Sequence, residues 1–85
     1  MKQNESARLR VLESVLAERE RQDKLWGVQN HVDSWWNVIA SEETGEVARE
    51  VYEQNEPKLL IEVIQACAVY FAWAEAILTR TKEER

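Results

Sequence analysis

Residues 59–78 read LLIEVIQACAVYFAWAEAIL, a stretch without glycine or proline. Wound as a helix, it puts apolar side chains on nearly every side. Such a helix must be covered on most faces, by neighbouring helices or by lipid. The stretch also carries Glu62, Gln65 and Glu75. A carboxylate near the centre of a membrane costs about 2.5–3.5 kcal/mol on insertion scales, and no basic flank sets the two ends apart. A buried core helix is therefore expected, and no membrane partner. A chain of 85 residues has little else with which to cover it. The expected architecture is all-α, one domain over residues 1–85: a three-helix protomer whose helices pair into a four-helix-bundle core in a homo-oligomer, dimer or tetramer.

The rest of the chain is consistent with long helices and short links, since it holds only two glycines and one proline. The first helix is expected over about residues 3–24, with Leu9, Leu12, Val15, Leu16 and Arg19 at a three/four spacing that makes one apolar stripe on a charged helix. Gly27 breaks the pattern, and Asp33 or Ser34 offers an N-cap for a second helix over about 34–54. Trp35 and Trp36 are expected in the core. Asn55 is expected to close the second helix, and Pro57 suits the first turn of a third that runs to about residue 80. The net charge is −5, and no basic face can be drawn, which argues against nucleic acid as a partner. The single cysteine, Cys67, forms no intrachain disulfide and reads as a packing residue. With the polar start MKQNESARLR, this leads to the expectation of a cytoplasmic protein.

Residues 41–50, SEETGEVARE, gather four glutamates inside the second helix. At 100° per residue Glu43, Glu46 and Glu50 fall within an arc of about 60° that also holds Ile39, beside the apolar Ala40 and Val47. Glu42, Glu50 and Glu53, each near a basic residue or a helix end, are read as solvated. Glu62 lies between Ile61 and Val63 in the most apolar part of the chain, where a lone carboxylate must be paired, protonated or bound to a metal. The short link at Pro57 makes the second and third helices antiparallel neighbours and brings Glu46 and Glu62 within roughly two turns of one level. Like charges 4 Å apart repel by roughly 4 kcal/mol at an effective dielectric of 20. Convergence of Glu43, Glu46 and Glu62 thus calls for a proton or a divalent cation. Oxygen donors with room for water favour Mg2+ or Mn2+ over zinc.

EETGE, followed after 15 residues by EVIQ, resembles the EExxE–spacer–ExxD pattern of the MazG-like all-α nucleoside triphosphate pyrophosphohydrolases. The upstream segment ERQDKLWGVQNHVDSWWNVIASEE is similar to the RQ…WG…H…W entry of such proteins, and the resemblance covers about residues 18–79. It implies cleavage of a nucleoside triphosphate between its α- and β-phosphates, giving monophosphate and pyrophosphate. It also implies Mg2+, with Mn2+ as the alternative, held by Glu43, Glu46, Glu62 and Gln65. Either Glu43 or Glu46 would take the proton of the attacking water. Gln65 stands where the pattern has aspartate: its amide oxygen can ligate, yet brings no charge. Lys24, Trp26, Gln29 and His31, in KLWGVQNH, are the candidate substrate-binding residues, for phosphate, base and sugar. A MazG-like binding or regulatory module with little turnover and a purely structural helical dimer are the rival readings.

Overall fold

The computed structural model describes the backbone of residues 2–84 and the side chains of residues 5–80. These residues form three helices, α1 (Lys2–Trp26), α2 (Asp33–Glu53) and α3 (Glu56–Glu84), with no strand among them. The expected order of helices is present, with α1 and α3 running longer than their apolar patterns suggested. Helix α3 packs against both α1 and α2, whereas α1 and α2 do not pack on each other. The protomer is thus an α2–α3 hairpin with α1 laid along α3.

The helix ends explain the hairpin. Gly27 adopts φ 69° and donates its N–H to the Asp23 carbonyl at 2.8 Å, which ends α1 in the left-handed conformation that glycine enters without Cβ strain. The N-cap of α2 is neither Asp33 nor Ser34. It is Val32, extended and without a side-chain cap, whose carbonyl accepts the N–H groups of Trp35 and Trp36. Asp33 instead serves tertiary structure, accepting hydrogen bonds from Trp73 Nε1 at 2.9 Å and from the Arg80 guanidinium at 3.2 Å. This ties the start of α2 to the far part of α3.

At the other end of α2 the left-handed residue is Gln54, φ 57° and ψ 38°. Gln54 N–H reaches the Val51 carbonyl and Asn55 N–H the Glu50 carbonyl, both at 3.2 Å, the paired bonds of a Schellman turn. Asn55, expected to close α2, also opens α3: its Oδ1 accepts the Lys58 N–H at 3.2 Å. Both helix ends meet in a turn of two residues, so α2 and α3 must run side by side.

Between them lies a core of Trp36, Ala40 and Val69, with Ile39, Ala72, Trp73 and Ala76 packed against it. The fully buried Ala40 and Ala68 let helices approach closely. Trp36 is in the core as expected, but Trp35 is 52% exposed. Adjacent helical residues point about 100° apart, and one apolar face cannot take both indoles. Of the α1 stripe only Val15 is buried; Leu9, Leu12 and Leu16 remain open. Cys67 is exposed in an open apolar groove of about 780 Å³ where Val15, Val47, Val63 and Phe71 also lie.

Candidate metal centre

The acidic residues come from both arms of the hairpin. Glu43 and Glu46 sit three apart on α2 and therefore share a face; Glu62 projects from α3 opposite them. Each is half-buried, and each offers a carboxylate oxygen within 4.8 Å of those of the other two. Glu43 Oε2 and Glu62 Oε2 are shut from solvent without any hydrogen-bond partner. Burial, then the charges of Glu46 and Glu62, push the Glu43 carboxyl up to about 7. Burial and the approach of Glu46 also raise Glu62, with the Glu50 charge adding to the effect and Arg49 opposing it.

Three oxygen donors around a small space, two with unused buried oxygens, make a fitting hard-cation site. Without a cation, the same geometry raises the proton affinity of Glu43 and Glu62 above that of a free glutamate. The convergence expected of Glu43, Glu46 and Glu62 is present in the fold.

Glu50 departs from its expected place on a solvated face. It is 1% exposed, the largest fully buried side chain among the described residues. Its Oε2 lies 3.6 Å from Arg49 Nε, and its Oε1 has no partner. The helical wheel had already set Glu50 on the arc of Glu43 and Glu46. The adjacent arginine made it look solvated, although neighbours in sequence face different directions on a helix. Glu42 and Glu53 are exposed as expected. Gln65, half-buried, lies in a shallow groove between α1 and α3 with Glu18 and Arg21. There Arg21 holds the Glu18 carboxyl below its ordinary value, mainly by a hydrogen bond.

Beside the carboxylates opens a cleft of about 400 Å³, bounded by the end of α1, the 27–32 connection, α2 and α3. Glu43 lines it and so belongs to both the cluster and the cleft. Trp26, 58% exposed, stands at the cleft. Gln29 lines the cleft too, and its Oε1 meets His31 Nε2 at 3.2 Å. His31 packs edge-on against Trp36 with ring centroids 5.0 Å apart, a supporting position behind Gln29. Lys24 is exposed on α1, outside the lining.

Sequence reasoning missed two further lining residues. Arg19 crosses to Glu75 with bonds of 2.8 and 3.1 Å, fastening α1 to α3 at the cleft. Trp36 Nε1 is a buried donor without an acceptor in the cleft wall. The arginine's place on the apolar stripe of α1 was the available signal; an indole donor left unmatched by the fold has none in sequence.

Comparison of the chain with models of protein families, with curated proteins and with solved structures finds no match.

Proposed function

We propose that the chain is a MazG-like, Mg2+-dependent nucleoside triphosphate pyrophosphohydrolase acting as a homo-oligomer. One observation carries the reading: Glu43, Glu46 and Glu62 converge from two helices with buried oxygens unmatched, at the edge of a cleft flanked by tryptophan. Glu46 and Glu62 hold the cation together with Glu43. Mg2+, when bound, supplies charge neutralisation for the triphosphate and activation of water. Glu43 faces the cleft, where its carboxylate is placed to receive the proton of the attacking water. Trp26 offers a face for stacking the base, and Gln29, held by His31, hydrogen-bonds to base or sugar. Trp36 Nε1 donates to an acceptor on the ligand.

The homo-oligomer is supported by the protomer's surface. Its accessible area is 6886 Å², whereas a monomeric protein of 10.0 kDa exposes roughly 5,200 Å². The excess is about twice the 800 Å² that one partner commonly contributes to a stable interface. Helix α3 from Glu56 to Arg80 is long and apolar enough to cross a membrane by length and composition, and only 11% of its most apolar stretch is buried in the protomer. A second copy seated on the apolar groove covers this surface while leaving Glu62 at the cation site, where a bilayer would oppose its charge.

The test is product analysis with a panel of NTPs and dNTPs, in Mg2+, in Mn2+ and in chelator. Metal-dependent release of monophosphate and pyrophosphate is expected; diphosphate and phosphate would overturn the assigned cleavage. The second reading, a nucleotide-binding module with little turnover, is favoured by the neutral Gln65 lying beside Glu18 and Arg21. It predicts Mg2+-dependent nucleotide binding without products.

A further inference from the structure

The cleft lies where α1 and α2 both lean on α3 without packing on each other. Its floor is a strip of α3 that holds Val69, Ala72, Ala76 and Thr79. At about 100° per residue, Glu75 falls about 80° to one side of the centre of that strip, and Trp73 and Arg80 about 60–80° to the other. Each flank carries a polar tie to one wall. On the first, Glu75 Oε1 accepts two bonds from Arg19 of α1, at 2.8 and 3.1 Å. On the second, Asp33 of α2 accepts a bond from Trp73 Nε1 at 2.9 Å, and each of its carboxylate oxygens takes one from Arg80 at 3.2 Å.

Both ties reach past a local alternative. Arg19 has a partner four residues on within its own helix, Asp23, yet gives it one nitrogen and sends two across to α3. Asp33 sits in the first turn of α2, where a carboxylate ordinarily serves the free N–H groups, and it turns to α3 instead. Glu75, Asp33 and Arg80 are half-exposed, and ion pairs of that kind add little to stability. Their placement bears on geometry. Trp26 lies seven residues after Arg19 and Trp36 three after Asp33, hence each on the face of its tied neighbour. The ties therefore set how far apart the two walls stand.

We propose that Glu75 and Arg80 are positioning residues: acting through Arg19 and Asp33, they fix the width of the cleft and so decide how well it separates a purine from a pyrimidine. This rests on the reading of the cleft as a nucleotide site. Between walls held at one separation, a base stacked on Trp26 either fills the gap or leaves part of it without contact. Walls released on one flank adapt to either ring, and the distinction fades.

The experiment is calorimetric titration of the full chain in Mg2+ with non-hydrolysable α,β-imido analogues of a pyrimidine and a purine nucleoside triphosphate. The wild type is expected to favour one of them by about tenfold or more. Glu75→Gln and Arg80→Gln should each weaken the favoured analogue by about three- to fivefold and leave the other unchanged, so that the ratio contracts. Arg80→Lys keeps a charge beside Asp33 and should restore most of the preference. Circular dichroism and the affinity for Mg2+ alone should match the wild type, because the carboxylates are held by the turn between α2 and α3. Equal weakening of both analogues overturns the proposal, since it marks a general loss of structure. A wild type that binds both analogues alike overturns it too, while leaving the nucleotide site intact. Absence of binding of either analogue by the wild type overturns both readings.

Discussion

A carboxyl group with one oxygen shut from solvent and no donor beside it can lower its cost by taking up a proton or by meeting a cation. Glu43 and Glu62 are in that position, and both hold their protons to a higher pH than a free glutamate. Between the ordinary carboxylate range and about 7, the folded chain then binds more protons than the unfolded chain. Stability without metal must fall as pH rises through that window. Thermal melts in chelator are expected to show a lower midpoint at pH 8 than at pH 5. Saturating Mg2+ should reverse the slope, because cation and proton compete for the same oxygens. Glu62→Gln should flatten the profile in chelator, hold or raise the midpoint there, and lose the Mg2+ response. A variant with full Mg2+-dependent turnover would show the site to be misassigned. At this scale the sequence was legible where burial and spacing agreed, as for Glu62 among Ile61, Val63 and Ile64. It was misread at Glu50, where a charged neighbour suggested solvent although the wheel position on the arc of Glu43 and Glu46 pointed to the buried side.

The turn between α2 and α3 determines whether those residues meet. Gln54 occupies the left-handed region, where a side chain costs about 1–2 kcal/mol relative to glycine's free access. Gln54→Gly should therefore stabilise the protein by about 0.5–1 kcal/mol after the added flexibility of the unfolded chain is subtracted. Denaturant unfolding at fixed protein concentration reads this directly, and a loss of stability would mean the Gln54 side chain has a packing role. Three helices and their approximate limits were legible from apolar spacing and the scarcity of glycine and proline. The caps were less so: Asp33 has the chemistry of an N-cap, yet Trp73 and Arg80, 40 and 47 residues away, take its carboxylate. A tertiary partner outcompeted the local one.

As a whole the protomer is open for its mass. Its radius of gyration is 14.5 Å, against about 12 Å for a compact domain of this length, and its apolar groove is floored by α3. Phe71→Glu, which sets a charge in that groove, should dissociate the proposed homo-oligomer to monomers at micromolar concentration. Light scattering coupled to size exclusion measures the mass; an unchanged mass would move the interface elsewhere. The sequence indicated that α3 needed covering, and only 11% of its most apolar stretch is buried within one chain; the cover proposed here is a second copy, whose geometry no intrachain pattern can specify.

The absence of packing between α1 and α2 has a consequence for how the protein opens. The carboxylates all belong to the α2–α3 hairpin, while Arg19 and Trp26, on one wall of the cleft, ride on a helix that only α3 retains. Amide hydrogens of α1 should accordingly exchange with deuterium before those of α2 and α3. In that partly opened form the hairpin would still hold the proposed cation, but the proposed nucleotide would have lost a wall. Bound nucleotide should slow exchange in α1, whereas Mg2+ alone should slow it chiefly in the hairpin, so that exchange mapping separates the hold on the metal from the hold on the substrate.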